Sequence, residues 1–190
     1  RLSEIRTGDL SFTEHETAAL LATHGVELSD DARSHLVRLT EGWPAAIYLA
    51  ALSMTGRSDP EEFVQLLSGS DRYIADYLSE EGLARIDVEL RSFILTMSIF
   101  DRFNASLAND VAQIHDASRL LHRLERTNMF VTSLHGGGWF RFHPLFATFA
   151  RSALELDRPG QVPELHRRGA HWFVAHDHQE EAIAHLLAAG

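Results

Sequence analysis

Between Thr13 and Gly69 apolar positions recur at helical spacing, and the breaks between them carry capping chemistry. Thr13-Glu14-His15-Glu16 is a capping box, with Thr13 as N-cap and Glu16 reaching back to it. The helix behind it is expected to bury Ala19, Leu20 and Ala22 and to stop at Gly25. Ser29 opens a second helix, with Asp30 and Asp31 in its first turn where the dipole favours acid. Leu36, Val37 and Leu39 give it an apolar side, and Gly42 ends it. Pro44 falls in the first turn of a third helix, where a missing N–H costs nothing. Residues 45–54 are nearly all apolar, so this helix should be central. Asp59 and Pro60 repeat the capping logic for a short fourth helix. Ahead of all this, Leu2 to Arg6 alternates briefly and runs into a turn at Thr7-Gly8-Asp9, as a short strand or a lead-in would.

After Ser70 the grammar changes. Helical patterns cover 73–85, 88–98, 105–114 and 118–127. Two β-rich runs, 129–134 and 139–142, then flank His135-Gly136-Gly137-Gly138, and Asn128 breaks the chain before the first of them. Runs of this kind around a glycine-rich turn predict a hairpin, and helices followed by a hairpin predict a winged helix. Pro144 starts a further helix through 156, and Asp157-Arg158-Pro159-Gly160 is a turn. Residues 162–176 and 179–189 then read as an antiparallel, Ala-rich helix pair of the kind that repeats in α-solenoids. The expected fold is mainly α: a helical domain, a winged-helix domain with one β-hairpin, and the first helix pair of a solenoid. The expected boundaries are 1–12 for a lead-in or linker, 13–69, 70–157 and 158–190.

Composition narrows the chemistry. The 190 residues include no Cys, so disulfides, thiolate metal sites and cysteine nucleophiles are excluded. All 17 basic residues are Arg. Without lysine the chain cannot hold a Walker A loop, which needs Gly-x-x-x-x-Gly-Lys-Ser/Thr. No apolar run reaches the roughly 20 residues of a membrane-spanning helix, so no membrane partner and a cytoplasmic location are expected. Net charge is −10; residues 13–69 carry 3 Arg against 9 acids, and residues 70–157 carry 9 Arg against 12. Neither block is the basic surface that a phosphate backbone requires.

Twelve His invite a metal reading, but His166, His171 and His176 spread around a helix, His171 and His178 straddle a turn, and there is no His-Glu-x-x-His. The acidic pairs Glu61-Glu62 and Glu180-Glu181 sit in helix first turns, where the dipole explains them. With no Gly-x-Ser-x-Gly elbow either, neither a metal site nor a catalytic residue is expected.

Three strings carry a resemblance: Glu41-Gly42-Trp43-Pro44, Phe140-Arg141-Phe142-His143-Pro144-Leu145-Phe146 and Pro163-Glu164-Leu165-His166-Arg167-Arg168. Ser70-Asp71-Arg72-Tyr73 and Asp76-Tyr77-Leu78 add to it more weakly. Together they resemble the MalT-like branch of the LuxR-type regulators, ATP-dependent transcription activators of the STAND class of signalling NTPases. The resemblance implies an internal segment, coupling the nucleotide state of an absent NTPase core to inducer sensing and self-association. In such proteins the Gly-x-Pro proline packs on the adenine ring and the winged-helix histidine reaches the β-phosphate of ADP. These would be Pro44 and His143 here, with Gly42 and Trp43 beside the first. ATP or ADP is then a cofactor of the intact protein, with none expected on this segment alone. The implied partners are the NTPase core and helical-repeat domain of the same chain, a small-molecule inducer, further copies in the active state, and DNA through a C-terminal helix-turn-helix.

Plainer readings stand beside these. Pro44 also serves as a helix-start proline, His143 as a cap for the helix at Pro144, and Trp43 and Trp139 as packing residues. Arg141, between Phe140 and Phe142, should face solvent or a neighbouring domain. Two rival functions remain. Arg119, Arg123 and Arg126 stand at i, i+4 and i+7 opposite Leu120, Leu121 and Leu124, as in a DNA-recognition helix. A protein-interaction scaffold with no nucleotide role is the other.

Overall fold

The structure is a computed structural model that describes residues 10–126, 130–134 and 138–190. The expectations for Leu2–Arg6, Thr7-Gly8-Asp9, Asn128, Met129 and His135-Gly136-Gly137 lie outside the described residues. The chain divides into two compact units, Arg1–Ser79 and Glu80–Gly190.

The first unit is helical. α1 (Glu14–Thr23) begins at the capping box, with both reciprocal bonds of Thr13 and Glu16 made. The face it buries differs from the expected one. Thr17 and Leu21 point inward, while Ala19 and Ala22 are exposed and Leu20 is half-buried. Thr17 and Leu21 are four residues apart on one stripe, whereas Ala19 lies on the opposite side and Leu20 and Ala22 lie to either side of it. α2 (Asp30–Thr40) starts at the Ser29 cap and buries Ala32, Leu36 and Thr40. α3 (Pro44–Met54) is the centre of the unit, with Ala46, Ile47, Ala50 and Ala51 wholly removed from solvent. α4 (Pro60–Leu66) and α5 (Arg72–Tyr77) complete it. Ser53 on α3 donates to the Asp71 carboxylate at 2.8 Å, and the same carboxylate caps α5 through the Tyr73 amide.

The single helix expected over 73–85 is broken. After α5 the chain makes a π-helical turn at Leu78–Gly82 and a 3-10 turn at Leu83–Arg85. Gly82 leaves helical dihedrals at φ −94° and ψ −85°, and the rings of Phe130 and Phe146 lie against it. A glycine disfavours helix by about 1 kcal/mol relative to alanine, which favours a break at this position.

The second unit is a winged helix continued by a helix pair. α6 (Val88–Met97), α7 (Ala105–Ala112) and α8 (Ala117–Arg126) precede the hairpin of β1 (Val131–Leu134) and β2 (Trp139–Phe142). The strands are antiparallel, with Val131 opposite Phe142 and Leu134 opposite Trp139. Phe103, just ahead of α7, exchanges both backbone hydrogen bonds with Phe140, at 2.8 and 2.9 Å, and adds a third rung to the sheet. β2 alternates as a half-buried strand should: Phe140 and Phe142 face the core, Trp139 and Arg141 the flank. Phe103, Phe142, Phe146 and Phe149 make a chain of ring contacts between hairpin and α9 (Pro144–Asp157). α10 (Val162–Ala175) and α11 (Gln179–Ala189) then pair along their lengths, and α10 also packs on α7. None of the described helices is long and apolar enough to cross a membrane.

Candidate functional site

Gly42-Trp43-Pro44 forms the turn between α2 and α3. Glu41 and Gly42 both adopt left-handed backbone, φ 50° and 72°, and the Gly42 amide returns to the carbonyl of Val37 at 3.1 Å. That geometry closes α2 and aims the chain into α3 within two residues. Glycine at 42 is favoured for a second reason: a Cβ there would sit 2.8 Å from the backbone oxygen of Phe12. Phe12 donates its amide to the Gly42 carbonyl at 2.7 Å, so the residue just ahead of the Thr13 cap is stitched to this turn. Trp43 is half-buried and meets the ring of Tyr77, with centroids 5.7 Å apart. Pro44, also half-buried, occupies the first position of α3.

His143 stands in the second unit, at the junction of β2 and α9. It is half-buried and is the N-cap of α9: its Nδ1 accepts from the Leu145 amide at 3.3 Å. Its own amide donates to the Phe130 carbonyl at 2.7 Å, which pins the junction to the start of β1. A nitrogen that accepts carries no proton, so the ring's N–H is on Nε2. Capping and donation to an anion therefore use different atoms of one imidazole and are compatible.

Two of the three arginines of α8 are placed by acids that sequence reading missed. Arg119 pairs with Glu89 and Asp116, and Arg123 with Asp87 and Glu89. The partnership raises the Arg119 guanidinium above its ordinary value, chiefly through its bond to Glu89. It also holds Asp87 below the usual carboxylate range, behind the larger effect of the Leu90 amide that Asp87 caps. The signal was present as the acidic first turn of α6. Arg126 lies exposed in the last turn of α8.

Two further clusters were not legible as sites. Arg102 lies 4.7 Å over the Trp139 ring and pairs with Glu181 of α11, joining the hairpin to the helix pair. His166 and His185 bring their Nδ1 atoms to 2.7 Å between α10 and α11. Of the other histidines considered for metal, His176 stacks on Trp172, His178 meets both Trp139 and Trp172, and His171 lines a groove with Arg168 and Trp172. Among the described residues no group of three or more His, Asp or Glu could hold a metal ion.

Comparison with known proteins agrees with this architecture. The MalT winged helix domain family matches residues 79–162. Serine/threonine-protein kinase PknK of Mycobacterium tuberculosis is 38% identical over 191 residues, covering 100% of this chain and 17% of that protein. HTH-type transcriptional regulator MalT of Serratia proteamaculans is 33% identical over 193 residues, and that of Klebsiella pneumoniae 32% over 196, again across the whole chain. The chain spans 21% and 22% of those two regulators. Residues 79–162, with their three helices, hairpin and capped α9, match the MalT winged helix domain family, and the chain as a whole is similar to MalT-type regulators.

Proposed function

We propose that this chain is the regulatory middle segment of an ATP-dependent transcription regulator, coupling the nucleotide state of an NTPase core to inducer sensing and self-association. The observation that carries the reading is His143, held at the β2–α9 junction by its own cap with Nε2–H as its donor atom. In this reading Nε2–H donates to the β-phosphate of ADP and Pro44 packs on adenine, each completing a site whose remainder belongs to the NTPase core. The nucleotide supplies the switch, and the chain's own residues perform no catalysis. The intact protein reads DNA through a separate helix-turn-helix and works in the cytoplasm.

The relatives support a segment that is regulatory in itself. One stretch of sequence matches both a protein kinase and transcriptional regulators along its full length, so it is indifferent to the output it serves. A second reading follows from the same fact: in this protein too the output is a kinase, with the segment performing the same control.

DNA binding by α8 is less well supported, because Arg119 and Arg123 already face Asp87, Glu89 and Asp116. The test is His143→Ala in the intact protein. A hydrogen bond to a charged group contributes about 1.5–3 kcal/mol, so its loss shifts the closed-to-open balance by roughly 10- to 150-fold. We expect weaker ADP binding and output without inducer. A folded variant that binds ADP like the parent and still needs inducer would falsify the role of His143.

A further inference from the structure

α10 and α11 meet through two imidazoles. His166 on α10 and His185 on α11 face each other Nδ1 to Nδ1 at 2.7 Å, with ring centroids 4.9 Å apart. Neither nitrogen can reach the other at that distance unless one donates and one accepts, so one proton lies between them. Behind His185 the surroundings are aromatic: Phe100 at 4.7 Å and Phe173 at 5.4 Å between centroids. Phe100 is wedged into the helix pair, close enough to α10 that only glycine fits at Gly169.

We propose that His166 and His185 form a proton-sensitive latch between α10 and α11, closed while one proton bridges their Nδ1 atoms and open when both rings are fully protonated. Two imidazolium rings cannot share that bond, and each would present a donor to the other at contact distance. The other charged groups acting on the pair come from three elements. Arg151 of α9 opposes a second proton; Asp101, following α6, and Glu181 of α11 favour it. Glu181 is itself engaged by Arg102, which blunts its pull. Burial is the largest influence on both rings and disfavours charge on each. With Arg151 and His166 added, His185 is pushed down to about 4. A histidine ordinarily titrates near 6.5. Native structure therefore binds fewer protons than the unfolded chain between those values, and the contribution of the pair is full above about 6.5 and lost as pH falls through about 4.

The experiment is a pH titration of the 190-residue chain from about 7.5 to 3.5, following side-chain nitrogens by long-range proton–nitrogen NMR and amide protection of α11 by hydrogen exchange corrected for intrinsic rates. We expect His185 to take its second proton well below the ordinary histidine value, at about 4. Protection across 179–189 should fall at least roughly tenfold in the same range, while α6 stays protected. His185→Phe keeps an aromatic ring on Phe100 and Phe173 without a titrating nitrogen, and should keep α11 protected to the acid end. Should both rings titrate near the ordinary value, or should α11 of His185→Phe open at the parent's pH, the latch is wrong. If that variant does not fold, the parent's titration alone decides the matter.

Discussion

The amide of His143 donates to the carbonyl of Phe130 at 2.7 Å, and Phe130 is held at φ +53°, a left-handed conformation uncommon for a bulky residue. The bond ties the entry of β1 to the exit of β2 and sets the ring of His143 over the first turn of α9. Stacking of Phe130 on Phe146, 4.8 Å between centroids, holds the strained residue in place.

That arrangement separates the two duties of His143. In the 190-residue chain, His143→Ala should cost about 0.5–2 kcal/mol, the usual loss for a side-chain cap. His143→Asn can still cap the Leu145 amide but has no equivalent of Nε2–H. Urea melts should find Asn close to the parent and Ala below it. In the intact protein both variants should lose ADP affinity, so Asn that binds ADP normally would confine His143 to capping.

Gly42 gives the second prediction. Gly42→Ala must hold a Cβ at φ +72° and 2.8 Å from a backbone oxygen of Phe12, which cannot swing aside as a side-chain tip would. A cost of about 1–3 kcal/mol is expected. Gly25 is the internal control, since it is at φ +67° and a Cβ there would meet nothing within 4 Å. Gly25→Ala should cost less, and equal thermal shifts for the two would show that contact with Phe12 contributes nothing.

Local signals carried most of the fold. The Thr13 capping box, the Ser29 and Asp59 caps, the prolines at 44, 60 and 144 and the alternation of β2 each act within a few residues, and each is found in place. What could not be read depends on distant partners. Which side of α1 is buried is decided by its neighbours in space, and that side carries Thr17. At Gly82, where the helical pattern breaks, the neighbours are the rings of Phe130 and Phe146, which come from far along the chain. The candidate site divides in the same way: the positions of Pro44 and His143 follow from capping rules, whereas Asp87 and Glu89 meet Arg119 and Arg123 across roughly 30 residues of sequence.

The pairing of those arginines leads to the third prediction. The chain should show no binding to duplex DNA at about 0.15 M salt, where only uncompensated basic clusters hold phosphate. Asp87→Asn with Glu89→Gln removes the compensating charge while Asn keeps the cap of α6. Any DNA affinity that appears in this double variant should vanish again on adding Arg119→Ala and Arg123→Ala. Tight, salt-sensitive binding by the parent chain would instead revive α8 as a recognition helix.

Gly169 decides between two opposing effects. Alanine in the middle of α10 should favour helix by about 1 kcal/mol. Its Cβ, however, would lie 2.7 Å from Cζ of Phe100 and closer still to Cε1, on a ring that is 1% exposed and backed by Phe173 and His185. Overpacking of this kind costs about 1–3 kcal/mol, so packing should win and Gly169→Ala should destabilise the chain. Phe100→Leu removes the obstructing ring edge at the expense of a cavity. The two changes should therefore couple, with the double variant more stable than the sum of the single losses predicts. Chemical denaturation of the four proteins in the cycle measures this directly. A stabilising Gly169→Ala, or strict additivity, would mean that Phe100 can retreat and that the wedge does not fix the helix pair on the winged helix.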